Sequence, residues 1–176
     1  GLSSLLISET INSMNDCRFF SVDNVQQFIK YAHSNIKNPV NVTFIHAPIE
    51  LSVIEYCPFV TYSKKCLANL QDVDSLDFVL IDGPYGRIFN RDAPLFLISN
   101  KIKKNSVIML DDSNRPKEQE ALKLWKEKYR DTIEIIQIPE FSHGLAIILI
   151  KGQLPKISFD YIFRFKKVIE SCESLW

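Results

Sequence analysis

Carboxylates that follow apolar segments are the residues of this chain best placed to do chemistry. The stretch DFVLIDGPYG reaches Asp82 at the end of an apolar run, and NSVIMLDDSNR reaches Asp111 and Asp112 in the same way. A fourth acid, Asp23, closes the β-rich stretch RFFSVD. Because ionised carboxylates resist burial, we expect these side chains at the rim of a sheet. In an open parallel α/β sheet, the carboxyl ends of the strands form the rim where ligands bind.

Four acids on one rim repel one another, so they require a ligand, a cation or hydrogen-bond donors. Asp23 suits an acceptor for the ribose hydroxyls of a nucleoside, or else it caps the helix that begins at Asn24. Asp82, Asp111 and Asp112 together suit an oxygen-only site for Mg²⁺. The alternative is that Asp112 or Ser113 caps the following helix while Asp111 bonds local amides.

Three other segments are candidates for ligand contact. The stretch GLSS, with Gly1 and Ser3, resembles the end of a glycine-rich turn at a helix N-terminus. The stretch HAPIE is placed to flank an adenine ring, although it also fits a plain proline turn; its candidate residues are His46, Ala47 and Pro48. His143, in the turn PEFSHG, could reach the rim as a base or substrate contact, although a lone loop histidine is usually neither.

Short β-rich segments alternate with helical patterns along the chain, which is typical of an α/β fold. Helices are predicted over residues 2–13, 25–36, 62–70, 93–103 and 116–130, the last with Leu122 and Trp125 inside. Strands are predicted over residues 18–23, 40–45, 78–81, 106–110, 132–138 and 145–150, and an irregular loop over residues 46–62.

The last two predicted strands are separated only by Pro139–Gly144, which is too short for a crossover between parallel neighbours. They must therefore run antiparallel. The sequence predicts a doubly wound, mostly parallel sheet with an antiparallel C-terminal hairpin, in a Rossmann-like three-layer sandwich. Residues 1–151 form this domain, and residues 152–176 are predicted to form an amphipathic tail helix that packs on its own domain or makes a homodimer contact.

The composition of the chain argues against several classes of function and partner. The 176 residues suit one domain, and 21 basic against 21 acidic residues give a formal net charge of zero, which argues against nucleic acid as a partner. The four cysteines lack metal-ligand spacing and are expected to be free thiols of a reducing compartment, best the cytoplasm. The apolar runs are too short to span a membrane, and no signal peptide pattern is present.

Taken in order, the segments GLSSLL, FFSVD, VTFIHAPIE, FVLIDGPYGR and VIMLDDSNRPKEQEALKLW resemble class I S-adenosylmethionine-dependent methyltransferases. The resemblance extends to about Lys151. It implies that Gly1 ends the cofactor loop, that Asp23 binds the ribose with Asn24 beside it, and that Asp82 lies near the methionine end and the substrate. The adenine would lie beside His46, Ala47 and Pro48.

The chain also resembles the metal-dependent catechol-type O-methyltransferases, which implies Mg²⁺ on Asp82, Asp111 and Asp112. Asparagine is usual in that group where this chain has Asp112. The family also has a central strand and an acidic-Gly-x-Gly loop ahead of the segment that starts at Gly1. We therefore expect an upstream segment or a partner chain to supply that strand, since two strand edges would otherwise lie unpaired in the core.

The resemblance implies methyl transfer to a hydroxyl of a sugar or small hydroxylated metabolite, with Asp82 as the first candidate base and His143 as the second. One alternative is a non-catalytic methyltransferase-like assembly module. The other is a nicotinamide-dependent oxidoreductase, against which the antiparallel ending and the absence of GxGxxG both count.

Overall fold

The chain was analysed as a computed structural model, which describes residues 2–11, 14, 16–36, 41–54, 57–84, 91–155, 157 and 159–160. The helices are α1 (Leu2–Ile11), α2 (Gln26–Asn35), α3 (Ala93–Ile98) and α4 (Pro116–Tyr129), with 3₁₀ turns at Lys64–Leu70, Ser99–Lys101 and Arg130–Thr132. The strands are β1 (Phe19–Asp23), β2 (Val42–His46), β3 (Ile49–Ile54), β4 (Cys57–Tyr62), β5 (Leu76–Ile81), β6 (Ile102–Asp111), β7 (Ile133–Ile138), β8 (Leu145–Ile150) and β9 (Phe159–Asp160).

The strands form three hydrogen-bonded groups. A four-stranded sheet has the order β5-β6-β8-β7, in which β5 and β6 are parallel and β8 runs antiparallel to both of its neighbours. Strands β1 and β2 form a separate parallel pair, and β3 lies between β4 and β9, antiparallel to both. The α/β class and the predicted antiparallel hairpin at the end of the sheet are confirmed.

Strands β1 and β5 each have a hydrogen-bonded partner on one side only. Among the described residues, β1 pairs only with β2 and β5 pairs only with β6. The sequence resemblance had implied an additional central strand, and no described strand takes that place. Phe78 on β5 is 52% exposed, so this part of the strand presents an apolar side chain to solvent.

The largest core lies between α4, α3 and the four-stranded sheet. Leu122 and Trp125 of α4 are buried, as predicted, in one cluster with Ile108 of β6 and Ile148 of β8. Each such side chain stabilises the fold by about 1.5–3 kcal/mol relative to its exposed state. The helix that carries this face begins with Pro116, a residue suited to the first helical turn.

The predicted irregular loop over residues 46–62 is wrong. Strands β3 and β4 form an antiparallel pair there, with Ile49 beside Tyr62 and Ile54 beside Cys57. Pro58 lies in β4, opposite Val53. Because β4 is the outer strand of its sheet, a residue without a backbone N–H can be accommodated there.

Helix α3 is shorter than predicted. The α-helix ends at Ile98, a 3₁₀ turn follows, and β6 begins at Ile102. Asp92 caps the start of α3, since its Oδ1 accepts a hydrogen bond of 2.8 Å from Ala93 N.

The tail is described only at its beginning. Leu154 is buried in the main core, and Phe159–Asp160 forms β9 beside Ile54 and Val53 of β3. The predicted tail helix is therefore wrong at these two residues. The remainder of the predicted helix, residues 161–176, and its dimer contact lie outside the described residues, and the division into a domain over residues 1–151 and a tail stays a prediction. In the part of the chain that is described, no helix has the length and apolar character to cross a membrane.

Candidate functional site

Three of the predicted acids meet at the carboxyl ends of β5 and β6. These strands are parallel neighbours, with Ile81 beside Leu110, so the residues that follow them reach the same edge of the sheet. One carboxylate oxygen from each of Asp82, Asp111 and Asp112 lies within 4.8 Å of the others. The acid cluster that the sequence predicted is therefore formed.

Arg91 is the main cation of the acid cluster, and the sequence analysis had not singled it out. Its Nη1 donates to Asp112 Oδ2 and to the carbonyl oxygen of Asp111, at 3.0 Å each. Its Nη2 lies 3.5 Å from Asp82 Oδ1. The Arg91 side chain is only 10% exposed and that of Asp112 is 14% exposed, so the pair they form is largely shielded from solvent, whereas Asp82 remains partly exposed. A sequence signal did exist, since the four acids required a ligand, a cation or hydrogen-bond donors, but nothing local pointed to Arg91.

Residues at the start of α4 complete the cluster. Arg115 Nη1 lies 2.9 Å from Asp112 Oδ2, and Glu118 Oε1 lies 3.6 Å from Arg91 Nε. Sequence analysis did not assign either residue to the site. Glu118 is in fact buried, and it faces Arg91 instead of solvent.

Burial is the main cause of a raised pKa at the Asp82 carboxyl, and the neighbouring charges of Asp111 and Asp112 raise it further. Arg91 acts in the opposite direction because its positive charge favours the ionised carboxylate. The Asp82 side chain is 44% exposed and Asp112 only 14%. Asp82 is therefore the more accessible of these two acids to a bound molecule.

The turn after β6 is bound to the turn before β8. Asp112 has a positive φ of 57°. The backbone amides of the two residues that follow it donate hydrogen bonds to the turn before β8. Ser113 N donates to the carbonyl of Gly144 at 3.0 Å, and Asn114 N to that of His143 at 2.9 Å. His143 Nδ1 lies 4.0 Å from Asp112 Oδ1, and its side chain is 74% exposed. The second predicted base therefore lies at the edge of the acid cluster, open to solvent.

The predicted nucleoside-binding residues meet at the carboxyl ends of β1 and β2. Asp23 and His46 lie side by side in the parallel register, and His46 Nε2 is 3.2 Å from the carbonyl oxygen of Asn24. Ala47 is fully buried, and its N–H donates to the backbone carbonyl of Asp23 at 2.9 Å.

Asp23 also has the local role that the sequence left open. Its Oδ1 accepts a hydrogen bond of 2.8 Å from Val25 N, just before α2 begins. A carboxylate has two oxygens with about four acceptor positions. The side chain therefore supports the helix start and retains capacity for ligand hydroxyls.

Tyr62, at the end of β4, connects these two groups of residues and was missed in the sequence. Burial raises the pKa of its phenol strongly, and the nearby charges of Asp23 and Asp82 add to the rise, whereas Arg91 opposes it. The residue packs against the small core formed by Ile45, Ala47 and Cys66. Its phenol is therefore neutral at physiological pH and lies near carboxylates of both groups.

Among the described residues, the remaining predicted cofactor-binding residues have no hydrogen bond or ion pair with Asp23 or with the acid cluster. Ser3 lies in the first turn of α1, and Ser4 Oγ is 2.9 Å from Ser21 Oγ, which brings this helix start against β1. Pro48 is exposed after β2. Gly1 and the rest of the loop after Pro84, residues 85–90, lie outside the described residues.

Comparison with known proteins supports the fold. No protein-family model matches the chain, and no curated protein matches it. Among solved structures, a Corynebacterium glutamicum protein matches with a TM-score of 0.58 at 11% identity, over 87% of this chain and 69% of that one. An inferred caffeoyl-CoA O-methyltransferase from Staphylococcus aureus matches with a TM-score of 0.51 at 14% identity, over 86% of this chain and 84% of that one. The fold is methyltransferase-like.

The two expected ligands fit the chain differently. Asp23 lies beside His46 at the ends of β1 and β2, and its carboxylate has the chemistry to accept ribose hydroxyls, so these residues are compatible with an S-adenosyl group, whose binding stays a prediction. Mg²⁺ would need oxygen ligands at about 2.0–2.1 Å in near-octahedral geometry. The guanidinium of Arg91 instead bonds Asp112 Oδ2 and lies 3.5 Å from Asp82 Oδ1, so a positive charge already lies among these carboxylates and the residues do not fit that ion in this arrangement.

Proposed function

We propose that the chain is an S-adenosylmethionine-dependent methyltransferase that methylates a hydroxyl of a sugar or small hydroxylated metabolite. The observation that carries the proposal is the grouping of Asp23 with His46 and Ala47 at the ends of β1 and β2, in a methyltransferase-like fold. The raised pKa of the Asp82 carboxyl and its exposure on the same rim support it further.

In this proposal, Asp23 accepts the ribose hydroxyls while the segment His46–Pro48 flanks the adenine. The cofactor supplies an electrophilic methyl group on its sulfonium. Asp82 accepts the proton of the substrate hydroxyl, and its raised pKa makes the carboxylate a better base at neutral pH. Tyr62 remains protonated because its pKa is raised, so its hydroxyl is available as a donor between the two groups.

Calorimetric titration of adenosylhomocysteine into the wild-type chain and Asp23→Asn tests the proposal. We expect the substitution to weaken binding by about 10- to 100-fold, because hydrogen bonds to a charged group contribute about 1.5–3 kcal/mol. Asp131→Asn is the matched control, since Asp131 is exposed in the 3₁₀ turn before β7, at the opposite end of the sheet from Asp111. It should bind as the wild type does.

Equal affinity in Asp23→Asn would exclude Asp23 as the ribose acceptor. Preferential binding of NAD over adenosylhomocysteine would favour an oxidoreductase.

A non-catalytic assembly module is the second candidate function. The observation that favours it is that β1 and β5 each have one edge without a strand partner in the described part of the chain. Such edges are templates for pairing with another strand. A folded chain that binds neither adenosylhomocysteine nor NAD would support this function over methyl transfer.

A further inference from the structure

The contacts of Arg91 suggest how the acid cluster is neutralised. Its guanidinium contacts three acids through their side chains, Asp82, Asp112 and Glu118, and bonds the backbone carbonyl of Asp111. Because arginine is always charged and offers five N–H donors in a fixed plane, one side chain can satisfy several oxygens at once.

Arg91 is also held firmly in place. The next residue, Asp92, caps α3 through its side chain, and its carbonyl oxygen accepts a 2.9 Å hydrogen bond from Nε1 of Trp125. Trp125 is fully buried in α4. The residue next to Arg91 is thus bonded to both α3 and α4, and Arg91 is positioned directly before the N-cap of α3.

The charge balance requires a cation at this position. Asp82, Asp111, Asp112 and Glu118 carry four formal negative charges, and Arg91 lies among them. Arg115 adds a second positive charge, but its side chain is half exposed, and among the described residues its ion pair is with Asp112. Removing one partner of a buried ion pair leaves uncompensated charge and is strongly destabilising.

We propose that Arg91 is the resident cation of the acid cluster and takes the place of a divalent metal, so that this site is organised without Mg²⁺. The guanidinium bonds Asp112 Oδ2 at 3.0 Å and lies 3.5 Å from Asp82 Oδ1, so two of the three carboxylates that a metal would need already pair with it. The proposal concerns the charge of the site, and it stands whether or not the chain transfers methyl groups.

Thermal unfolding of the wild type and Arg91→Met, each with millimolar Mg²⁺ or with EDTA, tests this inference. The wild-type melting temperature should be the same in both buffers. Arg91→Met should melt about 10 °C lower in EDTA, because breaking a buried pair is costly. It should regain part of that loss with Mg²⁺, because the acids are then free to bind the ion. Adding Asp112→Asn to Arg91→Met should abolish the regain.

Arg18→Met is the matched control, since Arg18 forms an exposed ion pair with Asp72. It should change the melting temperature little and show no response to Mg²⁺. A wild-type protein that Mg²⁺ stabilises, or a folded Arg91→Met that shows no response to the ion, would overturn the proposal.

Manganese titration of the wild type, followed by electron paramagnetic resonance, decides the question even if Arg91→Met fails to fold. We expect the signal of free Mn²⁺ to be unchanged by the protein at micromolar concentrations. Stoichiometric loss of that signal, reversed in the Asp112→Asn variant, would show that the acid cluster binds a divalent ion despite Arg91.

Discussion

At the scale of single residues, Asp82, Asp111 and Asp112 are tolerated at the strand ends because the largely buried guanidinium of Arg91 lies among them. The sequence indicates that Asp82, Asp111 and Asp112 meet where two parallel strands end and need a ligand, a cation or hydrogen-bond donors, and the structure places a cation there. The identity of that cation does not follow from the sequence, because Arg91 lies about 20 residues before the Asp111 and Asp112 it contacts. Tyr62 escaped prediction for the same reason, since its position beside the acids depends on the folding of the β3–β4 hairpin.

Cys66 provides a residue-scale prediction with a defined pH dependence. Burial raises the pKa of its thiol to about 11, and the charge of Glu50 adds to the rise. Because only the thiolate is alkylated, iodoacetamide should modify Cys66 at about pH 8 at least about 100-fold more slowly than an ordinary thiol of pKa about 8.5. Peptide mapping by mass spectrometry measures the modification at each cysteine separately.

The same raised pKa has a consequence for stability. The unfolded chain loses the Cys66 proton at a lower pH than the folded chain does. The contribution of the protonated Cys66 thiol to the free energy of unfolding is therefore complete below the pKa of the unfolded thiol. It is then lost as pH rises towards about 11. Denaturation in urea should remove the protection of Cys66. Rapid alkylation of Cys66 in the native protein at about pH 8 would show that its thiol is not buried and that its pKa is not raised.

At the scale of elements, order and type were largely predictable, and the errors have identifiable causes. The segment Ile49–Ile54 alternates like a strand, but Pro48 and Pro58 indicated a loop. Proline excludes a central strand and not an outer one, and the sequence alone could not show that β4 lies at an edge. The tail was predicted as a helix, whereas Phe159–Asp160 pairs with β3, a contact between residues about 105 apart in the chain.

The turn before β8 supports an element-scale prediction. Gly144 has a φ of +90°, and a Cβ added there would lie 2.5 Å from Asn114 Cγ and 2.6 Å from Asn114 N. Because the backbone of Asn114 cannot move without disturbing the turn after Asp112, we expect Gly144→Ala to lower the free energy of unfolding by about 2–4 kcal/mol. Urea denaturation followed by circular dichroism measures the change.

Gly152→Ala is the matched control for the turn. A Cβ at Gly152 would meet only the Thr132 side chain, at 3.6 Å and beyond, which is ordinary van der Waals contact. We expect the free energy of unfolding to change by no more than about 0.5 kcal/mol. Equal effects of the two substitutions would show that the turn is not constrained in the way described.

At the scale of the whole molecule, the chain combines a methyltransferase-like fold with very low identity to the solved structures it matches, 11% and 14%. The fold was predictable from the sequence because the spacing of strands and the short link before β8 allow few topologies. The division into separately paired sheets was partly predictable, since the family resemblance implied unpaired edges on strands such as β1 and β5.

The central claim is that Asp23 binds the ribose of the cofactor. A crystal structure of the chain with adenosylhomocysteine would test that role most directly. We predict that the ribose hydroxyls lie within hydrogen-bond distance of the Asp23 carboxylate, that the adenine lies beside His46–Pro48, and that Arg91 remains among the acids. A ligand bound elsewhere on the molecule, or a ribose that does not contact Asp23, would contradict the account.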